Sequence, residues 1–293
     1  MSPCSVPATA DNRTVKFAIG LPNVRDYGRP RLLLELAVRA EEAGWDGFFV
    51  WDHLVYRGRG DAVADPWISI AAIAARTERV RLGVMVCALA RRRPWKVARE
   101  VATLDQLSNG RVVFGAALGS LPQEEFAAFG EDPDDRLRAE KLDEGLEIVS
   151  GLWSGEPFSY RGRHYIVAET VFRPTPRQRP LPIWIGGRWP SRRPFRRAAR
   201  FDGVFPMHRD VGLDQTMTPA QLAEIVEYTL RHRGQSGPFD VVIDGLSPSD
   251  RAAAQAVVAP YAEIGLSWWV EKLGWFRGSV DEMHERIAAG PPR

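Results

Sequence analysis

Residues 82–89 (LGVMVCAL) form an apolar run with no polar alternation. The run is too short to span a membrane and suits a strand buried on both faces. Pro94 then stands where a first-turn proline is tolerated, and Val97, Val101, Leu104 and Leu107 recur at helical spacing. Asn109 and Gly110 stop that helix, and a second buried strand is predicted over 112–117. Two such strands joined by one helix are a parallel pair, and parallel strands need helices on both faces of their sheet.

The same alternation runs along the chain. Strands are predicted over 15–21, 46–51, 82–89, 112–117, 181–185, 203–206, 239–244 and 266–270. Between and after them, helices are predicted over 31–43, 66–77, from Pro94, and over 134–153, 218–233, 249–264 and 280–289. Thr218 with Pro219 makes a helix start, and Gly290-Pro291-Pro292 makes a stop. Eight strands alternating with helices predict a single α/β domain, a (β/α)8 TIM barrel; an open doubly wound sheet would not need so regular a count. On strand eight, Trp268 and Trp269 cannot both face the interior, because successive side chains alternate.

Composition adds limits. The 293 residues, 45% of them hydrophobic, suffice for one large core, and no Pro/Gly/Ser linker divides them. Residues 154–180 break the alternation: FSYRGRHYIV reads as a hairpin followed by a proline-rich connector, an insertion between the fourth helix and fifth strand. Residues 1–14 lack an apolar stretch and read as a disordered tail, leaving 15–293 for the barrel. Cys4 falls in that tail and Cys87 in a buried strand, so no disulfide is expected and a cytoplasmic location follows. A net charge of +2 exerts no general pull on nucleic acid, and no segment calls for a membrane.

Barrel chemistry sits at the C-terminal ends of the strands. Strand two ends in Trp51-Asp52-His53. Either Asp52 caps a turn beside an exposed histidine, or His53 is an acid or base working near neutral pH. Predicted strand five is followed by Gly186-Gly187, which reads as turn punctuation or as a backbone cradle for a phosphate. Arg91 to Arg93, and Arg192, Arg193, Arg196 and Arg197, follow strand ends. They read as solvated surface or as a rim for an anionic tail. Strand one ends without a His-x-His pair, so no metal site is expected.

The succession DGFFVWDHL, residues 82–119, PIWIGG, FDGVFP and GLSWWVE resembles the luciferase-like flavin-dependent oxidoreductases, nearly throughout the chain. The resemblance implies a barrel that binds coenzyme F420, or alternatively FMN, and moves a hydride to or from a small organic substrate. It further implies a strand-three bulge at Met85-Val86, often with a cis peptide, under the central ring. Asp52 would contact the cofactor, with Ala88, Leu118, Gly119 and Gln123 along the ring and ribityl chain. Gly186, Gly187, Trp189 and Pro190 would hold the phosphate. Asp52-His53 is similar to the deazaflavin-dependent branch, where the histidine donates a proton or stabilises the reduced ring; His208 is the competing proton carrier. Ser120 stands where sugar-phosphate dehydrogenases of that branch carry a glutamate, so a second acid/base is missing there. An FMN-dependent monooxygenase supplied by a flavin reductase, and a non-catalytic barrel subunit, are the alternatives. A homodimer is expected.

Overall fold

The computed structural model describes residues 14–58 and 60–293, so the expected tail lies outside the described residues but for Thr14, and Cys4 with it. The strands are β1 (Lys16–Leu21), β2 (Gly47–Val50), β3 (Arg81–Val84), β4 (Cys87–Ala88), β5 (Phe114–Ala117), β6 (Phe158–Arg161), β7 (Ile166–Thr170), β8 (Ile183–Trp189), β9 (Gly203–His208), β10 (Asp240–Gly245) and β11 (Trp268–Lys272). The helices are α1 (Pro30–Glu42), α2 (Pro66–Ala74), α3 (Pro94–Leu107), α4 (Pro122–Glu125), α5 (Asp135–Trp153), α6 (Arg193–Ala198), α7 (Pro219–Arg231), α8 (Arg251–Ala262) and α9 (Val280–Ala288).

Nine strands form one parallel sheet in the order β3-β2-β1-β11-β10-β9-β8-β5-β4. Its two ends meet where Leu82 N–H donates to Arg111 O at 3.0 Å and Val113 N–H to Leu82 O at 2.8 Å. β3 and β4 are halves of one barrel stave, broken at Met85-Val86, whose peptide is cis as the resemblance implies. The break is housed by small residues on neighbouring staves. A Cβ on Gly115 would stand 2.5 Å from Val84 O, and one on Gly186 3.0 Å from Val86 Cγ1.

Inside the barrel, Phe49, Trp184 and Trp268 pack with centroids 5.5 to 6.1 Å apart and form an aromatic floor. Trp269 points the other way, onto Tyr261 of α8 at 5.4 Å. Helix starts follow local rules. Asp65, Asp134, Thr218, Asp250 and Ser279 cap their helices through side-chain oxygens, and prolines open α1, α2, α3, α4 and α7.

β6 and β7 pair antiparallel beside the barrel. Glu144 of α5 holds this hairpin by accepting from the N–H groups of Arg163, His164 and Tyr165. Three staves run two to four residues further toward their C-terminal ends than the apolar pattern predicts: β8 reaches Trp189, β9 reaches His208 and β11 reaches Lys272. Gly186 and Gly187 therefore lie within β8 rather than after it.

Candidate functional site at the barrel mouth

Asp52 leaves β2 7% exposed, with both carboxylate oxygens engaged. Oδ2 accepts from Ala88 N–H at 3.0 Å and Arg92 Nε at 3.3 Å, and Oδ1 from Arg91 Nη2 at 2.8 Å and Arg92 Nη2 at 2.7 Å. Burial by itself raises a carboxyl pKa. Here the two guanidinium charges and the Ala88 N–H outweigh it and hold Asp52 below the usual carboxylate range. The residue thus pins the β4 end and two arginines to β2. Arg91 and Arg92 are internal pairing groups, which corrects both readings of that cluster; Arg93 alone of the three stays exposed.

His53 receives a partner that sequence reasoning missed. Its Nδ1 lies 2.8 Å from Glu125 Oε1, and the Glu125 side chain is 1% exposed. The same Oε1 accepts from Leu54 N–H at 3.1 Å, while Oε2 pairs with Arg91, whose Nη2 also donates to Asp52 O. Asn23, fully buried, clamps the other side: its Nδ2 donates to His53 O and Ala64 O, and its Oδ1 accepts from His53 N–H. A carboxylate on Nδ1 selects the tautomer with the proton there, or the imidazolium. His53 Nε2 has no hydrogen-bond partner among the described residues. The imidazole lies 5.9 Å from Trp51 and 4.9 Å from Tyr56.

Glu125 reaches His53 because the chain turns sharply after β5. Gly119 takes φ +85°, and a Cβ there would stand 2.9 Å from Ala88 and 3.0 Å from the Phe126 ring. Leu121 also takes a positive φ before α4 opens at Pro122. The adjacent carboxylates of Gln123-Glu124-Glu125 gave no sign of which would turn inward, since the contact spans 72 residues. Gln123 itself is exposed, and Leu118 is half-buried.

A pocket opens above the aromatic floor, lined by Gly20, Phe49, Trp51, Met85, Phe205, Asp244, Val270 and Lys272. Asp244 and Lys272 occupy inward-facing positions at the ends of β10 and β11, two residues beyond Val242 and Val270 of the barrel interior. Lys272 Nζ donates to Gln215 O at 2.8 Å and lies 3.7 Å from Asp244 Oδ2. Burial pushes the Asp244 carboxyl up, and Lys272 pulls it part of the way back. The sequence reading closed strand eight at Val270 and passed over both groups.

The remaining predicted residues divide. Met85, Ala88, Gly186, Gly187 and Trp189 are buried, Val86 is half-buried and Pro190 is exposed. Gly187 faces α6: a Cβ would stand 2.4 Å from Pro194 Cβ, so close strand–helix packing already requires a glycine there. Arg192 stacks on Trp189 at 3.7 Å, and Arg197 is buried against Asp143, which removes it from any rim. His208, ending β9, accepts from Asp210 N–H at Nδ1.

With this geometry in place, comparison with known proteins decides the family. Residues 15–282 match the model of the luciferase-like monooxygenase family. The chain belongs to that family. A family relative, F420-dependent glucose-6-phosphate dehydrogenase of Microbacterium testaceum (strain StLB037), is 34% identical over 182 residues, which is 61% of this chain and 53% of that protein. The chain spans about half the length of the curated relatives of this name that it matches. Monooxygenase RslO1 from Streptomyces bottropensis is 26% identical with a TM-score of 0.67, over 85% of this chain and 77% of that one. The coenzyme F420-dependent tetrahydromethanopterin reductase from Methanopyrus kandleri has a TM-score of 0.74 over 94% and 96% of the two chains. At 15% identity it shares the family's fold alone. No helix among the described residues is long and apolar enough to cross a membrane.

Proposed function

We propose that this chain is a cytoplasmic, homodimeric oxidoreductase that moves a hydride between coenzyme F420 and a small organic substrate. The observation that carries the reading is His53, held through Nδ1 by buried Glu125 beside an apolar pocket at the barrel mouth. A planar tricyclic ring asks for apolar walls and a few fixed polar groups. Phe49, Met85, Phe205 and Val270 supply the first, and the His53–Glu125 pair, Asp244 and Lys272 the second. When bound, such a cofactor accepts or donates the hydride itself. The chain's part is to seat the ring against Met85 and Val86, exclude water, and move a proton at His53 Nε2. In this reading Asp52 acts by fixing Ala88 and the arginines, Leu118, Gly119 and Gln123 flank the ribityl chain, and the β8 end, with Gly186, Gly187, Trp189 and Pro190, takes the phosphate.

Fluorescence titration with coenzyme F420 and with FMN tests the choice. F420 should bind more tightly, and salt should weaken it as exposed charges are screened. His53→Ala should bind it nearly unchanged yet lose at least about a hundredfold in turnover, the low end for a general acid or base. Undiminished turnover in His53→Ala would move the role to His208. Tight FMN binding with none for F420 would favour the second reading, an FMN-dependent monooxygenase supplied by a flavin reductase. The likeness to RslO1 speaks for that alternative.

A further inference from the structure

Trp51 lines the pocket above the aromatic floor and continues into a second set of rings outside it. Phe276 lies parallel to Trp51 with centroids 6.3 Å apart, and Trp275 meets Trp51 edge-on at 6.0 Å. Tyr56 joins Trp275 at 5.4 Å and His53 at 4.9 Å. These rings follow the ends of β2 and β11, and Arg25, after β1, is laid over Trp275 at 4.6 Å. Tyr56, Trp275 and Phe276 do not line the ring pocket. The group is fixed in place: Tyr56 is buried, and Arg277, next to Phe276, donates to Glu271, Ser247 O and Lys272 O. Yet Trp51, Trp275 and Phe276 stay half-buried beside a half-buried His53. Large apolar rings gathered at one place and left half in water mark a surface that a ligand completes.

We propose that Trp51, Trp275 and Phe276 form a platform for a flat aromatic substrate, neutral or anionic, held beside His53. This rests on the oxidoreductase reading above and names a substrate class for it. Indole and phenyl rings attract a flat aromatic ring through offset or edge-on contact, and a puckered saturated ring of the same size gains less. An aromatic group can also cage a cation, but the charges here oppose one. Arg25 over Trp275 and Arg57 over Tyr56, at 5.4 Å, are cations already placed on ring faces. The carboxylates bonded into the group are taken. Asp61 accepts from Arg25 Nε at 3.3 Å, and Glu125 is held by Arg91 and His53. Arg25 keeps its position at φ +59°, a backbone conformation few side chains adopt. Among the described residues only its Nε is hydrogen-bonded, so its terminal N–H groups are left to meet an anionic oxygen on the substrate's edge.

The probe is 2-naphthoate, with decahydronaphthalene-2-carboxylate as its puckered counterpart and 2-naphthyltrimethylammonium as its cationic one. Calorimetry, with and without saturating F420, gives the affinities. The indole N–H resonances of Trp51 and Trp275, assigned by their loss in Trp51→Phe and Trp275→Phe, locate the ligand. Naphthoate should shift both resonances and bind at least about tenfold more tightly than either counterpart. Trp275→Ala should lower its affinity at least about tenfold, and Trp275→Phe, which keeps a ring, should restore most of the loss. Arg25→Gln should weaken naphthoate and leave the neutral 2-naphthamide nearly unchanged. Equal binding of the puckered acid, tighter binding of the cation, or undiminished affinity in Trp275→Ala overturns the proposal. Resonances that ignore naphthoate but move with protein concentration would also overturn it, since a second copy would then cover the rings. Naphthoate binding in a protein that takes up neither F420 nor FMN would overturn the oxidoreductase reading and leave the aromatic site standing. Cofactor binding without naphthoate binding would do the reverse.

Discussion

At the scale of single residues, the barrel mouth holds two aspartates pushed in opposite directions by their neighbours. At Asp244 burial outweighs both Lys272 and the backbone N–H of Asp244 itself, and the carboxyl is raised. Asp52 is set deeper, its side chain 1% exposed, but has two arginines and a backbone N–H, which outweigh burial and lower it. For a carboxyl whose folded pKa is depressed, the stabilisation is present above its unfolded pKa and is lost as pH falls through the folded one. Asp52→Asn should therefore be less stable than wild type at neutral pH, because it leaves two arginines short of a charge. The gap should close as pH drops below the usual carboxylate range. Melting temperatures of the two proteins across that range check this, and a gap independent of pH would contradict the assignment. That Asp52 and His53 stand at the barrel mouth was legible from their place at a strand end. Their partners were not: Arg91, Arg92 and Glu125 lie 34 to 72 residues away along the chain from the groups they touch, and no local pattern encodes such meetings.

At the scale of elements, the instructive case is β8 against α6. From sequence, Gly186-Gly187 followed the strand and served a phosphate or a turn. In the fold both belong to the strand, and the space a Gly187 side chain would need is taken by Pro194. Gly187→Val should therefore act first on stability. Overpacking of this kind costs about 1–3 kcal/mol, which in a domain of this size lowers the melting temperature by roughly 2–5 °C. Thermal unfolding of the cofactor-free variant measures it, and an unchanged midpoint would return the glycine to a purely ligand-facing role. Strand ends were misplaced for a related reason. An apolar run stops at the first charged or small residue, and inward-facing positions at the mouth are charged or small because they face the pocket. The criterion that located β8, β9 and β11 therefore cut off their ends at the barrel mouth.

At the scale of the whole molecule, the last stave and the last helix are joined by one buried acid. Glu271 accepts from Ser247 N–H at 2.9 Å, Ser247 Oγ at 2.6 Å and Trp269 Nε1 at 3.0 Å, and pairs with Arg286 of α9 at 3.2 Å. The Arg286 side chain is 3% exposed, so removing its counter-charge strands a cation in the interior. Glu271→Ala should cost about 3–5 kcal/mol, the range for breaking a buried pair from one side. Denaturant unfolding is the measurement, and a loss under about 1 kcal/mol would show the cluster to be solvated.

Helix starts at Asp134, Thr218 and the prolines, the count of staves and the outward turn of one of the two tryptophans were all determined by the sequence itself. Capping, proline geometry and strand alternation depend on residues a few positions apart. So was the place of His53 at the mouth, because a barrel always presents the C-terminal ends of its strands together. The tertiary structure alone decided that Glu125 rather than Glu124 holds the imidazole, that Arg91, Arg92 and Arg197 turn inward, and that Asp244 and Lys272 share a pocket. Those pairings follow from the angle at which whole elements pack, and charge pairs at long sequence separation leave no periodic trace.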